Sequence, residues 1–356
     1  MSQGNSYNNL RKIDKSNMLD LLLDFPVHFT VSQEIAERAV IKFKECSFDN
    51  ILFFGVGGSA IGADVVRSYL YSESALPIQV VREYDVPQYL GKNSLVFCIS
   101  YSGNTEETLS AYDLARQRGA KIIVLSSGGK LKEHANSDDV TFIEVPQNLP
   151  PRCAIGYLSI ISLCILSRIG IVKDVFPAIT ESKSVLEELK KESLSPEIGL
   201  KDNLAKHIAS KLVNKLPVIY AASFNFEVCA TRFRGELNEN SKTIALSNVF
   251  PEMNHNEILG WQNPPKLLKN LVVVMLKDKF VHRRLNKRME LVCSMLNKQG
   301  VRILEINSRG NSLLARIFSL IYAGDFVSYY LAVLYGIDPT PAEKIDYLKK
   351  ELAEFR

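Results

Sequence analysis

Short apolar runs that end in glycine, serine or a polar loop, each leading into a stretch of helical character, constrain this chain more than any other feature. Ile51-Leu52-Phe53-Phe54-Gly55 is the first, and it reads as a strand. Strand residues alternate between the two faces of a sheet, so a run with no polar alternation must be covered on both faces, as in a parallel sheet. A helix is expected over Ile61–Tyr71, then strands at 78–81 and 94–100, a helix over Thr105–Arg118 closed by Gly119, and strands at 121–125 and 140–145. Strand–helix–strand alternation of this kind specifies an α/β fold, a parallel sheet with helices on both sides.

Pro146 to Pro151 reads as a loop, and 155–169 as an apolar helix suited to packing between lobes. Residues 180–207 turn charged and helical, as a linker would. The pattern then restarts. Strands are expected at 216–221, 242–246, 271–276 and 301–306, with helices beginning near Asn225 and over Arg283–Gln299, closed by Gly300. A last helix runs from Pro341 to Arg356, with proline at its start. The 356 residues are too many for one ordinary core and enough for two Rossmann-like lobes. The expected division is 1–170 with a leading helix, a helical linker over 171–210, and 211–356 with a C-terminal helix.

Charge excludes some partners. The net charge of +4 is spread over interspersed basic and acidic residues, with no basic tail or stripe to hold nucleic acid. No uninterrupted apolar run approaches the ~20 residues that a membrane span needs. The N-terminus, MSQGNSYNNLRKIDKSN, is polar and lacks a signal-peptide core. Cys46, Cys98, Cys153, Cys164, Cys229 and Cys293 lie far apart without CxxC pairing, most in apolar runs, and read as reduced thiols of a cytoplasmic protein.

Two loops carry chemistry. Gly55-Val56-Gly57-Gly58-Ser59-Ala60-Ile61-Gly62 joins a strand to a helix, where glycines admit close backbone approach and the helix N-terminus offers unpaired N–H groups to an anion. It has no lysine of a nucleotide-binding P-loop. Ser100-Tyr101-Ser102-Gly103-Asn104-Thr105 follows another buried strand and clusters three hydroxyls around one glycine. Hydroxyls and backbone amides together make a neutral phosphate cradle. Helix capping by Thr105 would explain one of the three.

SYSGNTEET preceded by GVGGSAIG resembles the sugar isomerase (SIS) domain. Pro151-Arg152, the stretch RGELNENSK at 234–242, PEMNHNEI at 251–258 and Gly336-Ile337-Asp338-Pro339 with Lys349 downstream resemble motifs of the bifunctional phosphoglucose/phosphomannose isomerase family. The matches fall in order over almost the whole chain. The resemblance implies two SIS domains and interconversion of glucose 6-phosphate and mannose 6-phosphate with fructose 6-phosphate, without metal or other cofactor.

It also implies roles. Gly58, Ser59, Ser100, Ser102 and Thr105 would hold the substrate phosphate. Glu236 would be the base that moves a proton between C2 and C1. His255 would open the sugar ring, reaching the site from the neighbouring subunit of a homodimer. Arg152 would stabilise the enediolate, and Lys349, with Lys344 as the fallback, would assist ring opening. Some family members carry threonine seven residues before that lysine, where this chain has Ala342; Thr340 lies nearby. No HxH, HExxH or close His/carboxylate pair proposes a metal site. The rival readings are a non-catalytic sugar-phosphate sensor and a dehydrogenase with Glu83 or Asp85 on a ribose. The first leaves Glu236, His255 and Arg152 together without a purpose, and the second leaves the hydroxyl loop without one.

Overall fold

The computed structural model describes residues 10–43 and 47–355. Cys46 and the first nine residues of the polar N-terminus lie outside them. The chain divides into two compact units. The first comprises Asp24–Val185 with Gly310–Ile317. The second comprises Leu186–Arg309 and Phe318–Arg356 with the N-terminal residues to Leu23.

The first unit is built on a five-stranded parallel sheet of order β2-β1-β3-β4-β5. Its strands are β1 (Asn50–Phe54), β2 (Ile78–Val81), β3 (Ser94–Ile99), β4 (Lys121–Ser126) and β5 (Thr141–Glu144). All six residues of β3 are buried, as its unbroken apolar run requires. In register, Phe53 lies beside Phe97, and their rings stack with centroids 4.7 Å apart. Leu52, Phe54, Val96, Cys98 and Val124 form a core with Ala111, Tyr112 and Ala115 of helix Glu106–Gln117 and Leu131 and Ala135 of helix Gly129–Ser137. Helices Val27–Arg38 and Gly58–Leu70 pack on helix Ile155–Arg168.

The second unit repeats the topology on four parallel strands, β6 (Leu216–Ala222), β7 (Leu246–Phe250), β8 (Leu271–Lys277) and β9 (Arg302–Asn307), in the order β7-β6-β8-β9. Val218, Tyr220, Val273 and Met275 pack with Met289, Val292 and Leu296 of helix Arg283–Lys298. Gly300 follows that helix at φ +80°, a left-handed cap that glycine adopts without penalty. In each sheet the strand order reverses at one place, between β1 and β3 and between β6 and β8. In open α/β sheets ligands bind outside the carboxyl ends of the strands at such a reversal.

Three expectations need correction. The strand expected at 242–246 runs instead over Leu246–Phe250, because Lys242 sits at φ 54°, in the left-handed region that an extended strand cannot include. The helical stretch expected at 180–207 is broken. Helix Phe176–Leu189 widens into a π turn, Lys190–Leu194, and the chain is not helical again until Leu204. Pro196 and Gly199 stand in that gap. Finally, helix Leu313–Leu334 is long and apolar enough to cross a membrane by length and composition. Arg316 and Asp325 interrupt it, which is why no single run of that length stands out. In the structure 89% of its most apolar window is buried inside the protein, the position of a core helix.

Candidate active site

The loops after β1 and β3 lie at the reversal of the first sheet. Gly57, at φ 57° and ψ −128°, turns the chain from β1 into helix Gly58–Leu70, a conformation that suits glycine. Three serines of these loops each accept a backbone N–H: Ser59 Oγ from Tyr101 at 3.2 Å, Ser100 Oγ from Gly103 at 3.1 Å, and Ser102 Oγ from Asn104 at 3.3 Å. A hydroxyl has one proton and two lone pairs, so engaging a lone pair leaves the proton to donate. The Ser100 and Thr105 hydroxyls lie 2.8 Å apart. Thr105 occupies the N-cap position of helix Glu106–Gln117 without a side-chain capping bond. Capping therefore does not account for its hydroxyl, and the cluster is a set of neutral donors at a helix N-terminus.

A third loop braces this one. Ser127 donates its N–H (2.9 Å) and its hydroxyl (2.6 Å) to the Tyr101 carbonyl. Gly103, at φ +72°, lies so close to the Gly128 carbonyl that no side chain fits there. The Tyr101 hydroxyl donates to Pro146 and accepts the Leu149 N–H, both at 2.9 Å. It so ties the hydroxyl loop to the segment before Arg152. Arg152 is 4% exposed, within the 3-10 turn Pro151–Ala154. A Cβ at Gly58 would lie 2.9 Å from the Pro151 carbonyl oxygen and 3.1 Å from the Arg152 Cα. The glycine is thus what lets the Arg152 backbone reach the loop after β1.

Glu236 lies in the second unit, on helix Glu227–Glu239, and is 3% exposed. Arg232, one turn earlier, places Nη1 2.8 Å from Glu236 Oε1. Asn240, one turn later, donates to Glu236 Oε2 at 2.9 Å. The spacing of four residues puts all three on one helix face. The remaining edge of the Arg232 guanidinium forms a two-pronged pair with Asp325 of helix Leu313–Leu334, Nε to Oδ1 and Nη2 to Oδ2, both 3.1 Å. Asn240 also donates to Ser328 Oγ at 2.9 Å, and Ser328 donates to the Asp325 carbonyl at 2.7 Å. A buried carboxylate without such partners would be strongly disfavoured as an anion. Here a cation and an amide hold one oxygen each.

His255 and Lys349 are placed differently. His255 is exposed at the end of the 3-10 turn Glu252–His255, without a side-chain hydrogen bond among the described residues. Its turn is anchored by neighbours. Glu257 accepts from the Tyr220 hydroxyl and from Asn248 Nδ2, and Trp261 Nε1 donates to the same hydroxyl at 2.9 Å. Burial and the Glu257 carboxylate push the Tyr220 hydroxyl far above its ordinary pKa. Lys349 and Lys344 are both exposed on helix Glu343–Glu354. Within its own unit, neither His255 nor Lys349 touches the Glu236 network.

A family model described as "Bacterial phospho-glucose isomerase C-terminal SIS domain" matches residues 201–352, and the SIS domain model matches 46–146. Both sheets therefore belong to SIS domains, as the loop motifs implied. A "Bifunctional phosphoglucose/phosphomannose isomerase" of Caldicellulosiruptor bescii is 43% identical over 95% of this chain and 100% of its own. The chain belongs to the bifunctional phosphoglucose/phosphomannose isomerase family. A member from Aquifex aeolicus is 37% identical over 86% of this chain and 91% of its own. A crystal structure of a Thermus thermophilus protein shares the fold, with a TM-score of 0.77 at 13% identity over 98% of this chain and 94% of that one. For this member of the isomerase family, the motifs pointed to Glu236 but not to the side chains that hold it. The spacing Arg232–Glu236–Asn240 was a readable signal. So was the carboxylate of Asp325, set in an otherwise apolar run.

Among the described residues, no group of three or more His, Cys, Asp or Glu is disposed to hold a metal ion. Cys98, Cys164, Cys229 and Cys293 are buried free thiols and Cys153 a partly buried one. Burial pushes the Cys164 thiol up to about 12, so it is no thiolate at neutral pH.

Proposed function

We propose that this chain interconverts glucose 6-phosphate, and less efficiently mannose 6-phosphate, with fructose 6-phosphate. The observation that carries the reading is the buried Glu236 carboxylate, each oxygen held by a donor from its own helix. A carboxylate oriented in this way suits a base that removes a proton and returns it one carbon away. The C2 proton passes to Glu236, the C–H electron pair becomes the C1–C2 double bond, and the carbonyl pair moves to O1. The O2 hydroxyl proton then moves to O1, O2 becomes the carbonyl, and the C1–C2 double-bond pair takes the proton back from Glu236 at C1, which gives the ketose.

The remaining roles follow from residue types and family motifs. Gly58, Ser59, Ser100, Ser102 and Thr105 hold the phosphate by hydroxyl and amide donors. Arg152 stabilises the enediolate oxygen by its fixed charge. His255 passes the proton that opens the sugar ring, acting from the neighbouring subunit of a homodimer, and Lys349 assists. The proton transfer is assigned to Glu236 and the side-chain donors, with no metal or redox cofactor in the proposed reaction, and the enzyme works in the cytoplasm on its sugar 6-phosphate.

A coupled assay tests this directly. The chain is supplied with fructose 6-phosphate alone, and glucose 6-phosphate is detected by its oxidation with an added dehydrogenase and NADP. Steady product formation is expected. A folded protein that binds fructose 6-phosphate but yields no aldose would be a sensor rather than an isomerase.

A further inference from the structure

Two buried carboxylates share one buried guanidinium. Arg232, Glu236 and Asp325 are 4%, 3% and 2% exposed. Arg232 gives its two-pronged edge, Nε and Nη2, to Asp325 and only Nη1 to Glu236. A fork-to-fork pair is the stronger geometry and draws most on the guanidinium. Had that edge faced Glu236, the carboxylate would be a weakened proton acceptor. The arrangement is the reverse, with Asp325 taking the strong contact and Glu236 the single one.

We infer that Arg232 and Asp325 are positioning residues that set the proton affinity of Glu236. Arg232 orients the Glu236 carboxylate and keeps it ionised, and Asp325 limits how far Arg232 lowers its basicity. This rests on the reading of Glu236 as the base. Besides Asp325, helix Leu313–Leu334 carries Arg316, Tyr322, Tyr329 and Tyr330. On β6, the titratable side chain is Tyr220, bound to Glu257, and β7 has none. Asp278, just past β8, accepts from Ser308 Oγ at 2.6 Å and the Phe280 N–H at 2.9 Å. Beyond the C-terminal end of the Glu236 helix, Lys242 Nζ donates to the carbonyls of Glu239, Pro339 and Pro341. On the helix itself Glu227 is exposed and Arg234 and Glu239 half-buried.

The test is the acidic limb of kcat/KM against pH, which reports the base of the free enzyme. Asp325→Asn removes the carboxylate that competes with Glu236 for the Arg232 charge. The limb should move about one unit lower, kcat on the plateau should fall about three- to tenfold, and KM should stay within about twofold. Arg232→Gln removes the cation and leaves the second carboxylate, so the limb should move about one unit higher. A purely structural role would not shift the limb in opposite directions. An unmoved limb in folded variants, or movement in the same direction, overturns the inference. If Arg232→Gln does not fold, Asp325→Asn decides alone. Glu236→Gln separates the two claims. Near-normal turnover by that variant removes the base reading itself. Its silence, with a wild-type profile in Asp325→Asn, removes only the role of the pair.

Discussion

The two sheets run in the same order, β2-β1-β3-β4 and β7-β6-β8-β9, and reverse at the same place, yet the loops at their reversals carry different residues. After β3 come Ser100, Ser102 and Thr105, neutral donors at a helix start. After β8 comes Asp278, 5% exposed, a buried carboxylate where phosphate would need donors. The first unit has the composition of an anion cradle, whereas at the corresponding point of the second a carboxylate accepts from Ser308 Oγ and the Phe280 N–H. What the second unit offers instead is a buried charge network on the helix after β6. Topology says where a ligand can sit, and side chains decide whether it does.

The sharpest way to break this division is Glu236→Gln. Turnover should fall by about two to four orders of magnitude, the usual worth of a general base. Affinity for a phosphorylated inhibitor should stay within about twofold, because the cradle is untouched. Steady-state kinetics with inhibitor titration checks both. A comparable loss of inhibitor affinity would mean that binding and proton transfer are not divided in this way.

The units should also differ under acid. His28 of the first unit is buried, stacks on Tyr157 at 3.9 Å, and burial lowers its pKa to about 3. The unfolded chain takes up that proton below about pH 6.5 and the folded chain only near 3, so stability is lost as pH falls through that window. The decrement is roughly 3 kcal/mol by about pH 4. His28 Nδ1 has no hydrogen-bond partner, so His28→Phe removes no bond there and should flatten the acid loss. Urea denaturation of both proteins between pH 7 and 4 checks this. An unchanged acid slope would show that other groups control it.

On the proposed reading, Ser102→Ala and Thr105→Ala each remove a donor to the phosphate, and a hydrogen bond to a charged acceptor is worth ~1.5–3 kcal/mol. KM should rise in both reaction directions with kcat much less affected. Calorimetry should find one sugar phosphate per chain, weakened by these changes. Tight binding that survives in the double variant would place phosphate outside the first cradle.

The difference between the units also decided what could be read from residues alone. β1, β3 and β8 are unbroken apolar runs flanked by glycine or polar loops, and their bounds were legible to within a residue or two. The hydroxyl loop after β3 is legible because its residues are contiguous. The Glu236 network is not, since Asp325 lies 93 positions from Arg232 and only folding brings them together. β7 was misplaced because the left-handed turn at Lys242 leaves no mark on hydrophobicity. Helix Leu313–Leu334 was missed because it is buried nearly all round and so shows no amphipathic period.

The smallest expected effect concerns substrate range. Glucose and mannose 6-phosphate differ at C2, and deprotonation there erases the difference. Ala342 is half-buried at the N-cap position of helix Glu343–Glu354 and makes no side-chain cap. Ala342→Thr should narrow the gap in kcat/KM between the two substrates by about the worth of one neutral hydrogen bond, ~0.5–1.5 kcal/mol. A threonine there can also cap the helix, worth about 1 kcal/mol of stability. A higher melting temperature with an unchanged substrate ratio would assign the position to the helix alone.

Proton transfer through an enediolate leaves an isotopic trace, and measuring it is the most direct test. Fructose 6-phosphate is turned over in D2O without added cofactor, and the aldose 6-phosphate formed is examined by NMR. Aldose carrying deuterium at C2 is expected in at least part of the product, and no such product is expected from Glu236→Gln on the same timescale. Aldose formed with only protium at C2, however long the substrate pool cycles, would point to a hydride shift and contradict Glu236 as the base.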